Sequence, residues 1–217
     1  MAAAPSATPR PLPASLPLFP LPGVLLLPRG LLPLNIFEPR YINMLDDALA
    51  SERLIGMIQP CEATPHGANP PLYKTGCAGR ITRFAEEGKR YLITLAGVCR
   101  FDIVEEAVTT RLYRRAVADW TPYAADLVQE PTSTIDRKRL LAGLKPFFQT
   151  HGLSIDWSAL DAASDEQLVT AMAMVCPLDA AEKQSLLQAP GLAERARLLT
   201  GLAEMALLEP PGSGVRH

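Results

Sequence analysis

What is missing from this chain of 217 residues narrows its chemistry first. No two of the four cysteines, Cys61, Cys77, Cys99 and Cys176, form a C-x-x-C couple, and the three histidines, His66, His151 and His217, stand apart. Zinc sites bring their ligands in close couples, so no metal is expected. The pattern G-x-x-x-x-G-K-[ST] is absent: Gly88-Lys89 has no glycine five residues before it, and Arg90 stands where a magnesium-binding hydroxyl would be needed. Nucleotide hydrolysis of the P-loop kind is therefore excluded, and no cofactor is expected. G-x-G-x-x-G and G-x-S-x-G are also missing, and no catalytic residue is assigned. Charge of one sign is scarce: the net charge is -2, which leaves no chain-wide footprint for nucleic acid. Aromatic residues make up only 6%.

What is present is apolar residues (48%) and proline (21 residues). A chain of this size and hydrophobicity buries a core without disulfides, and so much proline excludes a long helical rod. Residues 1–15 read as a disordered tail of small residues and proline. Leu16 to Phe37 is almost wholly apolar, but Pro17, Pro20, Pro22, Pro28 and Pro33 break any helix there. It reads instead as short strands, Leu16–Phe19, Val24–Leu27 and Leu31–Ile36, in a soluble, cytoplasmic protein. Pro39 is suited to the first helical position, with Glu38 at the cap, and Tyr41, Leu45, Ala48 and Leu49 share one face. Leu54–Gln59 reads as a buried strand and residues 60–73 as a long loop. A hairpin is expected through Gly88, joining Ala78–Phe84 to Tyr91–Ala96, with Arg100–Val104 and Leu112–Asp119 following. Seven or eight short strands and one helix suggest a small closed barrel or sandwich over residues 16–120.

Residues 121–131 read as a proline-bounded linker, and 132–208 as an α-helical bundle of four helices. Leu140, Leu141, Leu144, Phe147 and Phe148 repeat at helical spacing. Ser164 with Gln167, and Asp179 with Glu182, are capping boxes. The last helix, from about Leu192 to Leu208, is expected to turn Leu198, Leu202 and Met205 inward. Residues 209–217 form a second tail. Between Arg80 and Arg115 eight basic residues meet five acidic ones. That modest surplus suits strand-edge charge better than an RNA-binding face.

Several segments, in order along the chain, carry a resemblance. Leu16-Pro17-Leu18-Phe19-Pro20-Leu21-Pro22-Gly23-Val24, then Leu32-Pro33-Leu34-Asn35-Ile36-Phe37-Glu38-Pro39-Arg40-Tyr41, resembles the opening of the Lon protease N-terminal, substrate-binding domain. Gly76 to Ile81 and Gly97-Val98-Cys99-Arg100-Phe101 are similar to two of its strands. Pro177-Leu178 through Lys183-Gln184-Ser185-Leu186-Leu187, with Glu194-Arg195, is similar to the end of its helical part. The resemblance implies an α+β fold, a PUA-like closed β-barrel with one helix followed by a C-terminal α-helical bundle. It also implies a stand-alone form without the family's ATPase and Ser/Lys peptidase, hence a non-catalytic module that binds unfolded or partner polypeptides. An RNA-binding PUA-like module and a hydrolase built around His66 or His151 are the alternatives. No membrane partner is expected, nucleic acid is disfavoured, and weak self-association is left open. Strand addition at an open barrel edge would suit an extended peptide. The peptide contacts expected are Pro70, Pro71, Leu72 and Tyr73, on the long loop. Glu38, Pro39, Arg40 and Tyr41 are expected to be structural, fixing the first helix to the barrel.

Overall fold

The computed structural model describes residues 11–61, 69–128 and 135–208. Residues 1–10 and 209–217, His66, and parts of the 60–73 loop and the 121–131 linker lie outside the described residues. The end of the expected N-terminal tail is ordered: Trp120 donates to the Pro13 carbonyl and Ala118 N–H to the Ala14 carbonyl, each at 2.9 Å, and Ser15 opens the first strand. Six strands form one sheet: β1 (Ser15–Pro20), β2 (Leu31–Ile36), β3 (Leu54–Ile58), β4 (Thr75–Glu87), β5 (Arg90–Glu106) and β6 (Arg115–Asp119). The order is β2-β5-β4-β3-β1-β6, and β6 pairs again with the far end of β5. The pairings thus run from β5 through β4, β3, β1 and β6 back to β5, with β2 attached to β5 alone. Among the described residues only β1 and β3 run parallel. Alternate residues of these strands meet inside the ring, where Leu16, Leu18, Ile58, Ala78, Phe101 and Ala116 form a small apolar cluster.

Two expected strands take another form. Val24–Leu27 pairs with no strand; it lies between turns at Pro22-Gly23 and Pro28-Gly30, and it buries Leu25, Leu26 and Leu27 as anchors. Tyr91–Ala96 and Arg100–Val104 are one strand, β5, which slips register against β4 where Gly97 and Cys99 face Gly79 and Ala78. Gly97 allows this because the Leu27 carbonyl passes directly over it. A Cβ on Gly97 would stand 1.9 Å from that oxygen. Two backbone bonds lock the crossing, Arg29 N–H to the Gly97 carbonyl and Gly97 N–H to the Gly30 carbonyl, each 2.8 Å.

Helix α1 (Pro39–Leu49) starts with Pro39 in its first turn and Glu38 at the cap, and buries Tyr41, Met44, Leu45 and Ala48. Tyr41 packs on Phe19 of β1 with ring centroids 4.4 Å apart. After β6, residues Thr121–Leu127, expected to begin a linker, form a 3-10 helix whose Asp126 is buried. Five α-helices follow: α2 (Arg137–Thr150), α3 (Trp157–Asp161), α4 (Asp165–Val175), α5 (Ala180–Gln188) and α6 (Leu192–Leu208). The short α3 is the one the sequence pattern did not separate. Both capping boxes form, Ser164 with Gln167 and Asp179 with Glu182. On α6 the inward residues are Leu192, Ala196, Leu199 and Ala203. Leu198 and Leu202 pack at the edge of the core, and Met205 faces out, 62% exposed.

One apolar core runs through both halves, from Leu26, Ile55 and Leu95 to Leu144, Leu168 and Leu199. Two polar seams cross it. Arg100 of β5 binds Asp126 through Nε and Nη2, both at 2.8 Å, and gives Nη1 to the Leu187 and Ala189 carbonyls at 3.1 and 2.7 Å. Its guanidinium also lies 4.7 Å from the Tyr123 ring centre. In the second seam Gln59, directly after β3, donates to the Ala180 carbonyl at 3.1 Å, and Gln184 of α5 donates to the Thr75 carbonyl at 3.1 Å. Lys183 donates to the Gly23 carbonyl at 2.7 Å. Each buried polar group is thereby satisfied within the protein, as a group removed from water requires.

Cys77, Cys99 and Cys176 are buried and Cys61 is exposed. Burial pushes the Cys99 and Cys176 thiols up to about 12, from an ordinary 9.0, and raises Cys77 as well. Above pH 9.0 the unfolded chain releases these protons while the folded chain keeps them. Their contribution is therefore complete below pH 9.0 and falls away toward about pH 12. Burial lowers the Lys183 ammonium from 10.5, which acts in the opposite direction but through a single group. The urea midpoint is expected to fall steadily above pH 9.0, and Ellman's reagent should find one fast thiol in native protein and four after denaturation. A flat midpoint with several fast native thiols would contradict this packing.

Candidate functional site

The chain presents two concave surfaces of functional interest. The larger is an apolar groove of about 890 Å³ between the start of β2, the 3-10 helix and α4. Leu31, Leu32 and Pro33 form one wall, Ala171, Met174 and Val175 the other, and Val98 and Leu127 also line it. Its volume lies in the range of ligand-binding clefts. Leu31 is 65% exposed, Val175 54% and Leu127 53%, so apolar surface is left open to water at this place. Among the described residues β2 pairs with β5 on one side and with no strand on the other, and its first three residues, Leu31 to Pro33, line the groove.

Arg29 spans the mouth of the groove. Its backbone is left-handed, with φ 63°, an uncommon conformation for a side-chain-bearing residue. The guanidinium pairs through Nε with Glu166 of α4 and donates from Nη1 to the Asp126 carbonyl at 2.7 Å. The carboxylate of Asp126 is occupied by Arg100. The charges at the rim are thus matched within the protein, and the walls between them are apolar.

The smaller cleft, about 200 Å³, lies where the end of β1, the start of α1 and the segment before β6 meet. It brings together residues singled out separately in the sequence: Glu38, Arg40 and Tyr41 on one wall and Pro70 on the other, with Arg114 beside them. Arg40 pairs with Glu38 at 2.9 Å and lies 4.5 Å from the centre of the Tyr41 ring. Arg114 pairs with Glu106 and donates to the Pro70 carbonyl at 2.6 Å. The 70–73 segment folds back on the sheet. Cys61 N–H reaches the Pro71 carbonyl and Tyr73 N–H the Gln59 carbonyl, each at 2.9 Å. Leu72 pairs with Pro60 and packs on the small apolar cluster of Leu16, Leu18 and Phe101. Pro70 is buried and Pro71 exposed.

The chemistry of a hydrolase finds little in these surfaces. His151 lies with Nδ1 2.8 Å from the Phe147 carbonyl and its ring on Phe147, away from both. The three buried thiols are raised by burial, the opposite of an activated nucleophile. Among the described residues no three His, Cys, Asp or Glu are grouped as a metal would require, and no helix is long and apolar enough to cross a membrane. Of the basic residues between Arg80 and Arg115, Arg90, Arg100, Arg111 and Arg114 are each paired with a carboxylate.

This fold is that of Lon N-terminal domains. The Lon N-terminal domain protein from Xanthomonas campestris superposes with a TM-score of 0.58 at 22% identity, over 90% of this chain and 99% of that one. The N-terminal domain of the Mycobacterium avium complex Lon protease gives 0.59 at 20% identity, over 87% and 97%. The chain belongs to the ATP-dependent protease La (LON) substrate-binding domain family, whose model matches residues 15–204. Lon protease 2 of Sorangium cellulosum is 25% identical over 197 residues, which are 87% of this chain and 24% of that protein. The Lon protease of Syntrophus aciditrophicus is 30% identical over 100 residues, 43% of this chain and 12% of that protein. The chain thus spans at most about a quarter of the length of these curated relatives.

The groove was not legible in the sequence because its walls come from segments more than 130 residues apart, around Leu31 and Met174. One signal pointed toward it: Pro33 in mid-strand has no N–H to give a ladder, which marks β2 as an edge strand.

Proposed function

We propose that this chain is a non-catalytic polypeptide-binding module that takes up extended, apolar stretches of unfolded or partner proteins in the groove between β2 and α4. The observation that carries this reading is the coincidence of an unpaired strand edge with an apolar groove of polypeptide size. An incoming segment adds to β2 by backbone hydrogen bonds, which tolerate any sequence, and places alternate side chains against Met174 and Val175. Six residues of β2 offer about 20 Å of edge. The ring of strand pairings supports the reading of a PUA-like barrel, and α2 to α6 that of a bundle laid against it. The wall at Pro70 and Pro71 offers a second, smaller contact for the same chain. Glu38 and Pro39 have the structural part of setting the start of α1. Pairing of the basic residues within the protein favours a polypeptide over RNA.

The test is a titration of fluorescently labelled, reduced and carboxymethylated α-lactalbumin against the wild type and Val175→Glu. A charge placed against an apolar segment must be desolvated to bind it, at a cost of a few kcal/mol. Val175 is exposed, so the variant should melt within a few degrees of the wild type and bind about tenfold or more weakly. Equal binding by the two proteins would remove the groove from this account.

A further inference from the structure

Tyr41 is a side chain of the cleft whose polar end the fold does not use. The residue is 7% exposed, and its hydroxyl makes no hydrogen bond among the described residues; since no buried side-chain oxygen there lacks a partner, the hydroxyl is the part of Tyr41 left open to the cleft. Burial raises its pKa, with Arg40 and Arg114 near enough to oppose that rise and Glu38 near enough to add to it. Arg40 turns Nε and Nη2 to Glu38, leaving Nη1 without a protein partner among the described residues. Both guanidiniums lining the cleft are answered by carboxylates, Arg40 by Glu38 and Arg114 by Glu106, so the charges there are matched. The first turn of α1 opens here and carries no acidic residue, and the Glu38 side chain makes no cap bond to it. The Tyr41 O–H and the outer edge of the Arg40 guanidinium, from adjacent residues beside a helix N-terminus, are two donors that no acceptor among the described residues takes up.

We propose that this cleft binds a peptide carboxylate, held by the Tyr41 hydroxyl and the outer edge of the Arg40 guanidinium. Arg114 acts as a positioning residue: it holds the Pro70 wall through the carbonyl while its charge is answered by Glu106. The volume of about 200 Å³ admits one residue rather than a chain, which suits a terminus. The Glu38–Arg40 pair is close to half exposed on both sides, so sharing the guanidinium with a second carboxylate costs little. The assignment rests on the reading of this chain as a polypeptide-binding module, and adds to it a preference for chain ends or acidic residues.

Three labelled pentapeptides decide it: fluorescein-Gly-Ala-Leu-Leu-Ala with a free carboxylate, the same peptide as its amide, and the amide ending in Asp. The free acid is expected to bind about tenfold tighter than the alanine amide, the value of one hydrogen-bonded charge. Tyr41→Phe keeps the ring on Phe19 and removes the O–H alone; Arg40→Gln removes the fork from an exposed position. Each should bring the acid-to-amide ratio close to one while melting stays near that of the wild type. Tight binding of the Asp amide assigns the ligand to side-chain as well as terminal carboxylates; weak binding restricts it to the terminus. Equal binding of acid and amide, discrimination that survives both substitutions, or no binding of any peptide would overturn the assignment. In those cases capture of reduced α-lactalbumin by the groove, which Tyr41→Phe leaves untouched, shows whether the broader reading stands.

Discussion

Asp126→Ala is expected to destabilise the protein by about 3–5 kcal/mol, the usual cost of removing one partner from a buried ion pair. Both side chains are almost out of solvent, with 5% of Arg100 and 7% of Asp126 exposed. The loss is large because Arg100 is left charged. Its guanidinium would keep only the Leu187 and Ala189 carbonyls and the face of Tyr123, none of which carries a full negative charge. The reverse change, Arg100→Met with Asp126→Leu, removes both charges together and should recover much of the loss. The effect should also be directional. The pair joins β5 to the 3-10 helix and to the end of α5, so amide exchange in Asp126→Ala should rise first at 121–127 and 186–189. Urea unfolding of the single and double variants measures the cycle. A single variant within about 1 kcal/mol of the wild type would show that this seam does not hold the halves together.

Gly97→Ala is expected to be as damaging through sterics alone. The new methyl would stand 1.9 Å from the Leu27 carbonyl oxygen and 2.8 Å from the carbonyl carbon, both backbone atoms that cannot swing away. Overpacking of side chains costs about 1–3 kcal/mol, and a backbone clash falls at or above the top of that range. Relief requires lifting Leu27 from the sheet, which breaks the two bonds between Gly97 and the 29–30 turn. Arg29 would then lose its position over the groove, so the variant should bind unfolded protein poorly even where it remains folded. Gly88→Ala is the comparison: no atom lies within 4 Å of its Cβ position, though its φ of 65° makes alanine somewhat strained. A thermal melt that ranks Gly88→Ala as the worse of the two would contradict the crossing at Gly97.

The elements legible in the sequence are those with a local cause. Pro39 and Glu38 announced α1, and the two capping boxes announced α4 and α5, because a cap is a bond between residues three apart. The hairpin at Gly88 followed from a turn residue between two alternating runs. The errors fall where distant contacts decide. Val24–Leu27 has strand composition, yet prolines and glycines at both ends turn it into a buried crossover. Gly97 looked like a break between two strands because its reason, the Leu27 carbonyl, lies 70 residues earlier. On α6 the period was right and the phase shifted by one residue: Leu199 and Ala203 are the buried positions, Leu198 and Leu202 pack at the edge of the core, and Met205 faces out. Asp126 gave no sign in a stretch read as linker, since its partner Arg100 lies on β5, 26 residues earlier. The cleft was half legible. Glu38, Arg40, Tyr41 and Pro70 were each marked, but that they face one another follows only from the fold.

The measurement closest to the central claim is amide hydrogen exchange with and without saturating reduced α-lactalbumin, read at single-residue resolution by NMR. Strand addition in the groove predicts slower exchange at those amides of residues 31–36 that point away from β5, Pro33 having none, together with shifted methyl signals from Met174 and Val175. Protection confined to other strands, or binding that leaves β2 and α4 unchanged, would contradict it.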